Sequence, residues 1–194
     1  MTIQTYADLI SAVDSETTFA GAPIEQCIQL AEEALRPMLK HFRMEKSVTL
    51  TVPANTSPDL PDDLQELRAI LVDGQQVKPL SFHNRNTDLY SRGYVITGSK
   101  IEIRPAPATE YTVELSYYER LPALSNANPT NWLLTHFPTV YLRAASAQVY
   151  HWLKDKKAED GERELTGLAL SAVADDHKRV TMSGNTIIEE LSSW

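Results

Sequence analysis

Hydrophobic positions change their spacing twice along this chain, from a helical rhythm to strict alternation after Met44 and back to a helical rhythm from Pro129. In the first stretch Ile24, Cys27, Ile28, Ala31, Leu35, Met38, Leu39 and Phe42 recur at intervals of three and four, which places them on one buried stripe of a helix. Pro37 falls inside that pattern. A proline there removes a backbone hydrogen bond and clashes with the preceding turn, so the spacing predicts a break near Leu35 and Arg36. Upstream, Thr5 is placed to cap a shorter helix through Val13, and Gly21-Ala22-Pro23 separates the two.

The alternating region reads as strands. Val48, Leu50 and Val52 point one way while Thr49 and Thr51 point the other, and a run from Leu67 to Val72 follows a turn over 58–63. Asp73-Gly74 predicts a hairpin turn into Val77 and Leu80, and Gly98-Ser99 a second hairpin between Tyr94–Thr97 and Lys100–Arg104. The polar stretch 81–91 reads as a loop or short helix. Tyr111, Val113, Leu115 and Tyr117 alternate along a last strand ending near Arg120, because Pro122 cannot join a ladder and turns Leu121 away from helix. Five or six strands result, a normal size for one sheet.

From Pro129 the pattern predicts one helix to about Lys154, with Asn126, Asn128 and Thr130 as candidate caps. Its apolar residues surround most of the axis: Leu133, Phe137, Val140, Tyr141, Ala144 and Ala145 on one side, Leu134, Leu142, Val149, Tyr150 and Leu153 over much of the rest. Such a helix either lies at the centre of a core or has a partner outside its own subunit. Trp132, Phe137, Tyr141, Tyr150 and Trp152 are therefore expected as subunit-interface anchors, aromatic side chains being the types that interface centres favour. A second helix is expected from Ala158 to about Val180, with Leu165, Leu168, Ala172 and Val173 as its buried stripe. The tail after Gly184 carries Ile187, Ile188, Leu191 and Trp194 on a segment too short to own a core, so those four are expected to dock on a neighbour or partner.

The expected fold class is α+β, a helical body with an inserted small antiparallel β module. Its parts are 1–46 and 121–180 for the body, 47–120 for the module and 181–194 for the tail. With 194 residues and 42% hydrophobic content, the chain can build a real core. No apolar run is long enough to span a bilayer, and the first residues lack the basic and apolar regions of a secretory signal, so a cytoplasmic origin is expected. Cys27 is single and lies on an apolar stripe, which excludes an internal disulfide and points to a buried side chain. The net charge of −8 opposes nucleic-acid gripping, although a protein lining a channel through which DNA slides would gain from the same repulsion.

Motifs for chemistry are missing. The sequence has no glycine-rich phosphate loop, no HExxH, no GxSxG and no cysteine pair, and its five histidines are nowhere spaced at three or four. No catalytic residue, metal or cofactor is expected. Asp175-Asp176-His177 reads as a solvated helix face, because neighbours in sequence point apart on a helix.

Four stretches carry a family likeness: TYADLI near the start, RMEKSVTLTV leading to LPDDLQELRAILVDG, YVITGSKIEIRPAP, and YTVELSYYERLPALSNANPTNWLLTHFPTVYL. In these the chain resembles the head–tail adaptor, or connector, proteins of tailed bacteriophages. The resemblance implies a structural virion protein assembled in the host cytoplasm, forming a homo-oligomeric ring of twelve subunits. It also implies the portal protein and a downstream tail or nozzle protein as partners, with DNA passing through unbound and no membrane involved. The nearest alternative is a tail completion or tail-terminator subunit, and a small enzyme with a dispersed site is a more distant one.

Overall fold

The computed structural model describes residues 2–17, 21–81 and 92–182, and the chain divides into two units, Met1–Arg43 with Leu121–Trp194, and Met44–Arg120. The first is helical. Its first helix, α1 (Tyr6–Thr17), starts at a reciprocal cap: the Asp8 N–H donates to Thr5 Oγ at 3.2 Å, and the Thr5 N–H donates to Asp8 Oδ2 at 3.0 Å. It runs beyond the expected Val13, burying Tyr6, Leu9, Val13 and Thr17.

Helix α2 (Ile24–Leu35) buries Cys27, Ile28, Ala31 and Leu35, the stripe read from the spacing, and Glu32 among them. It stops at Leu35, and Arg36–Met38 continue as a 3₁₀ turn around Pro37. The break falls where the missing proline N–H and the ring clash require it.

The single helix expected from Pro129 is two. Helix α3 (Trp132–His136) ends at Phe137, which takes φ −137° and ψ 56°, and α4 (Pro138–Leu153) starts on the next residue. The residue before a proline is pushed out of the α region, and proline is well suited to a first helical position, so Phe137-Pro138 is the break that the apolar pattern concealed. The cap is also a different residue from those expected. Asn131 Oδ1 accepts from the Leu134 N–H at 2.9 Å, while Asn128 closes a turn with Ser125. Lys154 ends α4 in the left-handed region at φ 61°, and Asp155 Oδ1 accepts from the Ala158 N–H to open α5 (Lys156–Met182).

Helix α4 is the centre of this unit, packed by α1, α2, α3 and α5. Val140, Tyr141, Ala144, Ala145, Ser146, Ala147 and Val149 are all buried. Much of the wide apolar surface that the sequence offered to a second subunit is thus covered by the chain itself, with Phe137, Leu142, Tyr150 and Leu153 half-buried and Trp152 exposed. Small residues make this possible: Ala144, Ala145, Ser146 and Ala147 let neighbouring helices approach closely on several sides.

The second unit is one sheet in the order β1-β6-β2-β3-β4-β5, made of β1 (Glu45–Val52), β2 (Leu64–Val72), β3 (Gln75–Pro79), β4 (Gly93–Thr97), β5 (Lys100–Arg104) and β6 (Tyr111–Glu119). Strand β6 lies between β1 and β2, and its Tyr111, Val113, Leu115 and Tyr117 enter a core with Val52, Ile70, Val72, Val77, Ile101 and Ile103. Asp73 and Gly74 both take positive φ, 50° and 75°, the geometry of a tight primed turn between β2 and β3. One expectation fails: β3 and β4 pair in parallel, so the sheet is mixed and not purely antiparallel. Parallel neighbours need a crossover of a dozen or so residues, and 80–92 supply that length. Residues 82–91, expected as a loop or short helix, lie outside the described residues.

Asn131 does two jobs, its amide also donating to Pro122 O and Tyr141 Oη at 2.8 and 2.7 Å. Replacing it with alanine is expected to lower stability in urea denaturation by about 1–3 kcal/mol, from the lost cap and the buried groups left unpaired.

Candidate interaction surface

Of the five aromatic anchors expected from the sequence, the structure brings only some to the surface. Tyr141 is completely buried in its own chain and is a core residue, a correction to its expected place at a subunit contact. Its hydroxyl donates to Glu32 Oε1 at 2.9 Å, the same oxygen accepts from the Leu124 N–H at 2.9 Å, and the Asn131 amide donates to Tyr141 Oη. Glu32 is itself buried, and that burial pushes its carboxyl above the usual carboxylate range despite the hydrogen bonds opposing it. The Tyr141 phenol is pushed up too, first by burial and then by the Glu32 charge. Sequence reading missed Glu32, whose only signal was its place beside Ala31 and Ile28 on the apolar stripe.

Trp132 and Phe137 are half-buried around His41. The fully buried His41 ring stacks on Trp132 with centroids 4.8 Å apart and meets Phe137 edge-on at 6.0 Å. Tyr150 is half-buried as well, whereas Trp152, at 52% exposure, is the one anchor whose ring stands open. The docking residues Ile187, Ile188, Leu191 and Trp194 lie outside the described residues.

Helix α5 inverts its expected pattern. Leu165 and Leu168, assigned to the buried stripe, are exposed, and Ala172 is exposed too; of that stripe only Val173 is buried. The inward face is partly polar instead. Glu159 is buried and takes hydrogen bonds from Arg163 at 2.8 Å and pairs with His151 at 3.2 Å, while Glu162 meets Arg143 of α4, which also pairs with Glu16 of α1. Glu159 is the buried charge on this face, and turning it inward toward its partners leaves Leu165 and Leu168 outside. Asp176 and His177, expected on a solvated face, are half-buried against 41–43.

The outcome is an apolar outer surface on the helical unit. Among the described residues, eight large hydrophobic side chains are exposed, and seven of them belong here: Leu30, Met38, Trp152, Leu165, Leu168, Val180 and Met182. A groove of about 190 Å³ opens between α2, α4 and α5, floored by Ala31, Ala144 and Ala147 and walled by Ala34, Met38, Gly167 and Leu170. No group of three or more histidine, cysteine or acidic side chains able to hold a metal is found among the described residues.

The family model for the SU10 adaptor protein matches residues 4–186. The chain belongs to that family. These are phage head–tail adaptor proteins, structural and not enzymatic, and they act in the virion by contact with other virion proteins. No curated protein matches this chain significantly. No helix among the described residues of this adaptor is long and apolar enough to cross a membrane.

Within the adaptor, core and surface aromatics are expected to part company in denaturation measurements. Tyr141→Phe should cost about 1–3 kcal/mol, because it leaves the Asn131 amide and Glu32 short of a partner, while Trp152→Ala should stay within about 0.5 kcal/mol. Glu32 supplies a pH signature. Its carboxyl is raised above the ordinary value of 4.5, so the folded state holds more protons than the unfolded one between those limits. The adaptor should therefore gain stability relative to Glu32→Gln as pH falls from neutral toward 4.5; a constant difference across urea melts would contradict the assignment.

Proposed function

We propose that this adaptor forms a ring of twelve subunits that joins the portal to the tail and leaves a passage for DNA. The observation that carries the reading is the exposed apolar surface of the helical unit, where α5 presents Leu165, Leu168, Val180 and Met182 and the end of α4 presents Trp152. A subunit in a closed ring needs two unlike, complementary patches, since each contact is head to tail. The outer face of α5 and the small-residue groove between α2, α4 and α5 offer such a pair. Trp152 is the principal anchor with Tyr150 beside it, and Trp132 and Phe137 contribute through their exposed edges.

The tail residues Ile187, Ile188, Leu191 and Trp194 reach the portal or a neighbouring subunit. Loops of the β unit meet the next tail or nozzle protein. With a net charge of −8 per subunit, a ring repels the DNA backbone and does not retain it.

Mixing the adaptor with its portal and imaging the product by electron microscopy tests the reading. Twelve-fold rings seated on the portal are expected, and an adaptor that stays monomeric with portal present would overturn it. Trp152→Ala combined with Leu168→Ala should weaken ring formation at least tenfold in light-scattering titrations while leaving the monomer's melting curve nearly unchanged. Truncation after Gly184 should weaken portal capture in a pull-down; undiminished capture removes the tail from the account.

A further inference from the structure

His41 and His177 come from residues over a hundred positions apart and meet with ring centroids 5.8 Å apart. His41 ends up completely buried, stacked on Trp132. Its Nδ1 accepts from the Arg43 N–H at 3.3 Å, which leaves the proton of the neutral ring on Nε2, 3.3 Å from Asp176 Oδ2. His177 Nδ1 accepts from the Phe42 N–H at 3.0 Å, and the Phe42 and His177 rings stack at 6.4 Å. Both rings are thus used as acceptors at Nδ1 by backbone N–H groups of one short segment. In each, that nitrogen is where a second proton would have to go.

We propose that His41 and His177 form a proton-sensitive clasp, closed when both rings are neutral, that ties the end of α5 to residues 41–43 and opens on acidification. Beyond Val173 no described residue of α5 is buried, and Asp176 and His177 are the half-buried pair on that last stretch. The clasp, together with the Arg43–Asp176 pair, ties 174–182 to the segment 41–43.

Burial of the His41 ring favours release, and the charged groups around it are divided, Arg43 favouring release and Asp176 opposing it. Facing the rings are Asp176 on α5 and Arg43 on the short segment, with Lys40 next to His41 in sequence; Trp132, Phe42 and Phe137 bring no charge. Asp176 is one carboxylate already shared with Arg43, whose Nη1 lies 3.3 Å from the same Oδ2. A second proton on the His41 ring would set two donors against each other at Nδ1 and add a cation beside Arg43. Burial first of all, and then the Arg43 and His177 charges, hold the His41 imidazolium below its ordinary range, with Asp176 opposing. A histidine held low keeps its full contribution above its unfolded value of 6.5 and loses it as pH falls from there toward the lower folded value.

Glu32 shifts global stability in the opposite sense, so the test must be local. Hydrogen–deuterium exchange of the full chain, corrected for the intrinsic pH dependence, should be followed at about pH 7.5 and about pH 5.5, either side of the histidine range. The expected result is a rise of about tenfold in exchange of 174–182 at the lower pH, with the β unit unchanged. Protection of 174–182 that does not vary with pH, or a rise spread equally over both units, would overturn the clasp. His177→Asn keeps an acceptor near the place of Nδ1 and cannot be protonated, so it should cut the rise at least threefold; an undiminished rise excludes His177. Proton NMR of the His41 ring gives an independent reading: a midpoint below 6.5 is expected, and one at or above it overturns the proposal.

Discussion

A buried carboxylate organises the helical unit. Glu32 sits on the apolar stripe of α2, and a charge there is tolerable only if hydrogen-bond donors are brought to it. Two segments supply them, the Leu124 N–H from the irregular stretch before α3 and the Tyr141 hydroxyl from the middle of α4. Asn131 completes the arrangement by capping α3 with its oxygen and bonding Tyr141 with its nitrogen. One carboxylate thereby sets the rotation of α4, the path of 121–131 and the start of α3. The tall apolar helix that results is enclosed by its own chain.

That enclosure has a consequence for the surface. With α4 taking up the neighbouring faces, α5 is left to cover it with a largely polar inner edge, Glu159 and Glu162 toward His151 and Arg143, and its leucines turn outward. Burying charge inside and apolar side chains outside costs stability in the free chain and is useful in a protein that works by contact with others.

Much of the architecture was legible in the residues. Pro37 announced the end of α2, Asp73-Gly74 and Gly98-Ser99 marked two turns, and the alternation of Tyr111 to Tyr117 identified the strand that lies between β1 and β2. Phe137-Pro138 was legible too, but the continuous apolar pattern on both sides masked it. The parallel pairing of β3 with β4 was not, because alternation is the same for either direction and only the length of 80–92 hints at a crossover. The exposed apolar side chains were only partly legible: Tyr141 belongs to the core while Trp152 stands open, and Leu165 and Leu168 of α5 looked like a core stripe.

The division follows the range of the forces involved. Helix breaks, caps and tight turns depend on a residue and its neighbours within about four positions, through backbone sterics and single hydrogen bonds, so the chain by itself determined them. Which face of α4 or α5 is covered depends on charge partners far away in sequence, Glu32 with Tyr141, His41 with Asp176, Arg143 with Glu16. A buried charge must find its partner before apolar area is shared out, and no local pattern carries that information. Only the tertiary structure decided which hydrophobic side chains became core and which stayed exposed.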